Sequence, residues 1–237
     1  MSINRKELKQ RAKDSLHNNW GKAILFNFSN RFIMWIFTML AYFAMLSYWA
    51  VICAPDNTAI VVGGIALIVF LILLLIFVCV FSGSVQYGYL NLIRNRDYDI
   101  KPFKGNFLVF SSKYFLGFLG VYVAYLFFGL LWSLLLIIPG LIKFYSYSQS
   151  LYIFKDRADK ENLTLKGCLT RSKQLMQGHK FELFKLQLSF LGWIVLSMFT
   201  LGIGLLWVMP YMSATFAAFY DELSKHEQEI PQDLKAF

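Results

Sequence analysis

Four stretches of this chain contain no Asp, Glu, Lys or Arg: residues 32–55, 57–93, 114–142 and 186–220. A helix that crosses the hydrocarbon of a bilayer needs about 20 apolar residues, and every one of these stretches is longer than that. They are continuous apolar runs, not the alternating segments of about ten residues that build a membrane β-barrel. The chain is therefore predicted to be all-α and polytopic, a single integral membrane domain over residues 1–237 with no room for a soluble domain. Composition agrees. Hydrophobic residues make up 57% of the chain and charged residues 16%, where a soluble domain is about a quarter charged.

The net charge of +9 could suggest nucleic acid, but its distribution argues for membrane topology. Lys and Arg fall in blocks at residues 5–22, 94–113, 155–185 and 225–235, with Arg31 and Lys143 the two exceptions. Blocks of this kind mark cytoplasmic segments, so the charge is read as topogenic and as facing anionic lipid headgroups, with no nucleic-acid partner. The basic start and the long apolar run after it do not read as a cleavable signal peptide. Cys53, Cys79 and Cys168 fall in segments that cannot pair, and no CxxC is present, so neither a disulfide framework nor a zinc site is indicated.

With every basic block on the cytoplasmic side, each apolar interval must return to where it began. Residues 1–22 form an amphipathic lead-in, 23–93 a first hairpin, 94–113 a cytoplasmic segment and 114–154 a second hairpin. Residues 155–180 form a second amphipathic segment, 181–222 a third hairpin and 223–237 a cytoplasmic tail. The expected reversals are "CAPDN" (53–57), Pro139-Gly140 and "LGIG" (201–204), because proline disfavours helix before it and glycine accepts turn dihedrals. Six transmembrane helices follow, with both termini cytoplasmic. The return arms at 141–154 and 205–220 would rise only about 21–24 Å as helices, against a core of about 30 Å. They either span by thinning the bilayer or are partly re-entrant.

Within "RKELKQRAKDSLHNNWGKA" and "LTLKGCLTRSKQLMQGHK", apolar residues share one face and basic residues surround it. Such helices lie in the headgroup plane, or pack as plain linkers on their neighbours. Shifting by 160 residues superposes Lys6 on Lys166, Arg11 on Arg171, Lys13 on Lys173 and Ser29 on Ser189, a weakly written internal repeat. The return arms carry polar stripes at helical spacing. Tyr145, Ser148, Gln149 and Tyr152 share one face in the second arm, with Lys143 and Tyr147 on a neighbouring one. Ser84, Tyr87 and Asn91 form the first arm's stripe, and Tyr211 and Thr215 a poorer one in the third. Polar groups are costly against lipid and should face the bundle. They serve either as interhelical hydrogen bonds or as a polar cavity for a small ligand or headgroup, with Lys143 as its cation.

Catalytic signatures are missing. There is no HExxH, GxSxG, GxxxxGK[ST] or GxGxxG, and His17, His179 and His226 lie outside the apolar stretches. The chain is read as non-enzymatic and without a cofactor. The motifs "IIPGLIKFYSYSQSLYIFKD" and "SKQLMQGHKFELFKLQLSFLGWIVLSMFTLGIGLLWVMPYM" resemble the bacterial integral membrane proteins catalogued as domain of unknown function nine-seven-five. That resemblance runs nearly end to end. It implies a multi-pass protein of the bacterial cytoplasmic membrane and supplies no reaction or ligand. Three functions stay open: binding of lipid, peptide or a membrane partner (a second copy included) through the polar face, a small-solute channel or transporter, and a lipid-modifying enzyme.

Overall fold

A computed structural model describes residues 4–53, 57–95, 98–110, 115–135, 137–157 and 164–229. The described chain is all-α. Helix α1 (Arg5–Leu16) is capped by the Asn4 side chain, which accepts from the Lys6 amide. It leads into α2 (Trp20–Ile52), and α3 (Asn57–Arg94) returns beside it. A segment with one 3₁₀ turn (Lys104–Phe107) connects to α4 (Phe115–Leu135), whose return arm is split into α5 (Ile137–Tyr147) and α6 (Ser150–Arg157). Then come α7 (Leu165–Leu175), capped by Thr164, α8 (Lys180–Phe199) and α9 (Leu205–Glu229). Helices α2, α3, α4 and α8 are long and apolar enough to cross a membrane. Residues 54–56 of the first reversal, Asp56 among them, lie outside the described residues, as do Arg96, Lys113 and the end of the tail.

The three hairpins share one buried base. Leu8, Ala12 and Leu16 of α1 pack with Ala23 and Phe26 of α2, Tyr89 and Leu90 of α3, Ile153 of α6, Leu183 and Leu186 of α8, and Ala214 to Leu223 of α9. A second cluster joins Phe81 and Tyr87 of α3, Phe118 and Val121 of α4, Phe154 of α6 and Cys168 of α7. The segment after α3 is clamped to this base through polar groups. Asn106 is fully buried and donates to Ser29 Oγ at 2.8 Å, while Asn30 Nδ2 donates to Asn106 Oδ1 at 3.0 Å. Away from the base the first hairpin is bare. From Phe32 to Trp49 of α2, and from Val61 to Leu75 of α3, large apolar side chains stand exposed, the surface expected of helices whose solvent is lipid.

The hairpins differ in reach. Helix α2 has 33 residues and α8 20, and both start directly after a lead-in helix. At about 1.5 Å per residue the first hairpin extends roughly 20 Å further. A cross-contact agrees: Arg31 Nη2 lies 3.6 Å from Met209 Sδ. Beyond that level α2 has about 30 Å left to Ile52, whereas α9 has about 6 Å back to Leu205. The second hairpin is short as well. Tyr122 of α4 and Ser82 of α3 meet across one cavity; past that pair α4 has about 20 Å left and α3 about 37 Å.

The tips of the second and third hairpins are built alike. A Cβ on Gly140 would lie 2.6 Å from Ser133 Cα, and one on Gly204 2.6 Å from Ser197 Oγ and 3.1 Å from Ser197 Cα. Each serine ties its hydroxyl to its own helix, Ser133 to Gly129 O at 2.9 Å and Ser197 to Trp193 O at 2.7 Å. A serine thus faces a glycine seven residues later, and the legs close without side chains between them. The second chain reversal comes before Pro139-Gly140, not at it: α5 starts at Ile137, so Pro139 occupies the first helical turn, where its missing N–H costs nothing.

Candidate functional site

The second return arm is not one helix. It unwinds at Ser148 and Gln149 between α5 and α6, and a serine from another element holds the break. Ser172 Oγ of α7 donates to Ser146 O at 2.8 Å and accepts from Gln149 N at 3.2 Å. One hydroxyl thus satisfies a carbonyl and an amide that the interrupted helix leaves without partners. Because the backbone is unwound, consecutive side chains rather than a helical stripe face the interior. Tyr147, Ser148, Gln149, Ser150 and Tyr152 all line a cavity of about 300 Å³.

The opposite walls come from Ser82 and Gln86 of α3, Tyr122 and Tyr125 of α4, Gln187 of α8 and Ser213 and Phe216 of α9. Gln149 is 4% exposed and Ser150 0%. Among the described residues neither Gln149 Oε1 nor Ser150 Oγ has a hydrogen-bond partner, and Gln86 Oε1 is also unpaired. Gln149 Nε2 is occupied, donating to Ser148 Oγ at 2.9 Å. An unpaired buried polar atom costs about 1–3 kcal/mol, and three of them meet in this one cavity. The two unpaired carboxamide oxygens accept, so their missing partner is a donor. The tyrosine rings around them, Tyr122, Tyr125, Tyr147 and Tyr152, suit an ammonium or the C–H face of a polyol. Among the described residues no group of three or more His, Cys, Asp or Glu is placed to hold a metal.

Of the residues that the sequence suggested, Tyr147, Ser148, Gln149 and Tyr152 meet at this cavity, and the others lie elsewhere. Lys143 faces away from it, with Nζ 4.4 Å over the Trp132 ring. Tyr145 bonds Gln187 Oε1 and packs edge-on against Phe184. Ser84 Oγ accepts from Val109 N at 3.2 Å, and Tyr87 OH donates to Leu151 O at 3.4 Å. Asn91 Oδ1 receives Lys155 Nζ. Tyr211 packs edge-on against Phe190, and Thr215 donates to Tyr211 O at 2.7 Å. Sequence reasoning missed Ser82, Gln86, Tyr122, Tyr125 and Ser213. Ser82 and Gln86 do form an i, i+4 pair, on the side of α3 away from the stripe chosen.

A second, charged cavity of about 500 Å³ lies at the base, where the three return arms end. Arg94 Nη1 and Nη2 grip both oxygens of Asp156 at 2.6 and 2.7 Å, and its Nε reaches Asp221 Oδ1 at 3.0 Å. Asp221 also accepts from Arg11 at 2.6 Å and Lys225 at 3.0 Å, while Tyr220 OH donates to Asp156 at 2.8 Å. Burial raises the Asp221 pKa, but the bonds to Arg11, Lys225 and Arg94 outweigh it and hold the carboxyl below its ordinary value. Lys155 donates to Tyr87 O at 2.9 Å. Burial pulls its ammonium down to about 8, against the opposing pull of Asp156. The principal charges here neutralise one another, so this cavity reads as the bolt joining the arms.

A family model described as "Protein of unknown function (DUF975)" matches residues 1–147 and residues 134–227. The chain belongs to the DUF975 family. No curated protein and no solved structure matches it. For this DUF975 protein the site's chemistry is therefore carried by the geometry: a neutral, tyrosine-rich cavity with unpaired acceptors, standing above a self-neutralised charge cluster.

Proposed function

We propose that this DUF975 protein is a non-enzymatic binding protein of the bacterial cytoplasmic membrane, whose cavity at the α5–α6 break takes a small ligand or lipid headgroup bearing hydroxyl or ammonium donors. The observation that carries this is the pair of buried, unpartnered acceptors, Gln149 Oε1 and Ser150 Oγ, facing that cavity. The basic blocks favour a cytoplasmic base with both termini on that side. In that orientation the first hairpin crosses the bilayer, and the second and third enter and return within the inner leaflet. Tips that stop roughly 20 Å short of the first hairpin's tip, in a core of about 30 Å, support this shallower depth, with the cavity near the inner headgroups.

Repetition of one unit, lead-in helix plus hairpin, accounts for the layout. Helices α1 and α7 start 160 residues apart, as do α2 and α8. Leu8, Ala12, Leu16, Ala23 and Phe26 are buried, and so are Cys168, Ser172, Met176, Leu183 and Leu186 at that offset. The second unit replaces the lead-in helix with the clamped segment around Asn106.

The test is native mass spectrometry of protein released from nanodiscs, with and without a panel of polyols, amines and their lipid conjugates. Wild-type protein should retain a donor-bearing species that the Gln149→Leu/Ser150→Ala variant releases. Retention by both alike, or by neither across the whole panel, would overturn the assignment. Release by the free headgroup identifies a soluble ligand; release only by the conjugate identifies a lipid.

A further inference from the structure

The cations of α1 have two fates. Arg11 turns toward α9 and is neutralised by Asp221 and Glu222 at 2.6 and 2.7 Å. Lys9 and Lys13 turn instead to the flank of the third hairpin. Lys9 Nζ lies 4.6 Å over the Phe190 ring and Lys13 Nζ 5.8 Å over the Tyr211 ring. Among the described residues no carboxylate pairs with either. Four residues apart on one helix, the two ammoniums repel each other. Burial first, then Arg5 and Lys13, lowers the Lys9 pKa from its ordinary value.

Between these lysines and the hairpin opens a cavity of about 380 Å³, lined by Lys9, Lys13, Trp20, Trp193, Trp207 and Tyr211. Trp193 and Trp207 are exposed, and past them toward the tip so are Phe199 and Leu201. Tryptophan concentrates at the membrane–water interface. The surface thus grades over one hairpin from paired cations, through indoles, to bare hydrocarbon.

We propose that this cradle seats one anionic phospholipid, its phosphate between Lys9 and Lys13 and its upper acyl chain along Trp193 and Trp207. A free anion would find two cations on one side and mostly ring carbon on the others, where a few N–H and O–H donors fall short of a full hydration shell. An amphiphile matches both halves. The seat is independent of the cavity at Gln149, with which it shares no residue.

The experiment is lipid competition in nanodiscs of equimolar phosphatidylglycerol and phosphatidylcholine, reading the lipid that each released protein retains. Wild-type protein should keep phosphatidylglycerol, and Lys9→Gln/Lys13→Gln should lower that preference about tenfold or more. Lys9→Arg/Lys13→Arg should preserve it. Lys166→Gln/Lys173→Gln on α7, an equal loss of charge, should leave it unchanged. Three results would each overturn the seat: no lipid preference in the wild type, equal losses in the two lysine-to-glutamine pairs, or displacement of the lipid by millimolar inorganic phosphate.

Discussion

Gln149 illustrates what a single buried side chain can report. Its Nε2 is satisfied by Ser148 while its Oε1 is not, so in the ligand-free protein it carries a desolvation cost with no return. Gln149→Leu removes the unpaired oxygen at similar size. The ligand-free variant should be more stable by about 1 kcal/mol, seen as a raised thermal midpoint in detergent, and should lose any ligand-induced stabilisation. A lowered midpoint would mean that the oxygen is satisfied within the protein. Ser172 is the converse case, since its hydroxyl serves Ser146 O and Gln149 N at once. Ser172→Ala should cost about 2 kcal/mol or more in the same thermal measurement. Ser148→Ala leaves both of those backbone groups paired and should cost less.

The helical elements owe their limits to neighbours as much as to their own residues. The tips of the second and third hairpins depend on glycine because a serine backbone lies where a Cβ would go. At Gly140 the Ser133 hydroxyl lies at 2.5 Å and the Ser133 backbone follows at once, Cα at 2.6 Å and N at 2.9 Å; at Gly204 the Ser197 hydroxyl lies at 2.6 Å, with Cα only at 3.1 Å. A hydroxyl can be shifted or removed, whereas a helix backbone cannot. Gly140→Ala should therefore destabilise by about 1–3 kcal/mol and Gly204→Ala by less, and Ser197→Ala should partly rescue only the latter. Equal costs and equal rescue in thermal unfolding would contradict that geometry.

For the whole molecule, one charge cluster joins all three hairpins. Arg94 ends the first return arm, Asp156 the second and Asp221 the third, and Arg11 brings in the first lead-in helix. The Asp221 side chain is 3% exposed, and removing one member of a buried pair costs about 3–5 kcal/mol. Asp221→Asn should lower stability at neutral pH by an amount at the lower end of that range. Because its carboxyl is held below the ordinary value, its contribution is complete above about pH 4. It fades as pH falls through the lower folded value. Thermal unfolding of the wild type should lose stability over that acidic window, and the variant should lose less. Depth is testable on intact cells. Native Cys53, exposed at the end of α2, should react with a membrane-impermeant thiol reagent. Leu201→Cys at the third tip, 95% exposed in the structure, should not react in a Cys53→Ser background. Labelling of both at similar rates would mean that the third hairpin crosses the bilayer completely.

Much of this was legible in the residue order because transfer free energy and backbone dihedrals are local. Charge-free runs announce helices for lipid, basic blocks announce their ends, and the third reversal falls at "LGIG" with Leu201 and Gly202 at positive φ. Half of the cavity was legible too, in the polar run around Gln149. Tertiary structure decided the rest. Polarity along α3 cannot say which side of that helix meets a neighbour, so Ser82 and Gln86 face the cavity while Ser84 bonds Val109. The break in the second arm is held by a hydroxyl 23 residues further along, and the arms are joined by Arg94 and Asp221 across 127 residues. Hydrogen bonds and ion pairs of that span depend on how helices stack, which no window of neighbouring residues contains.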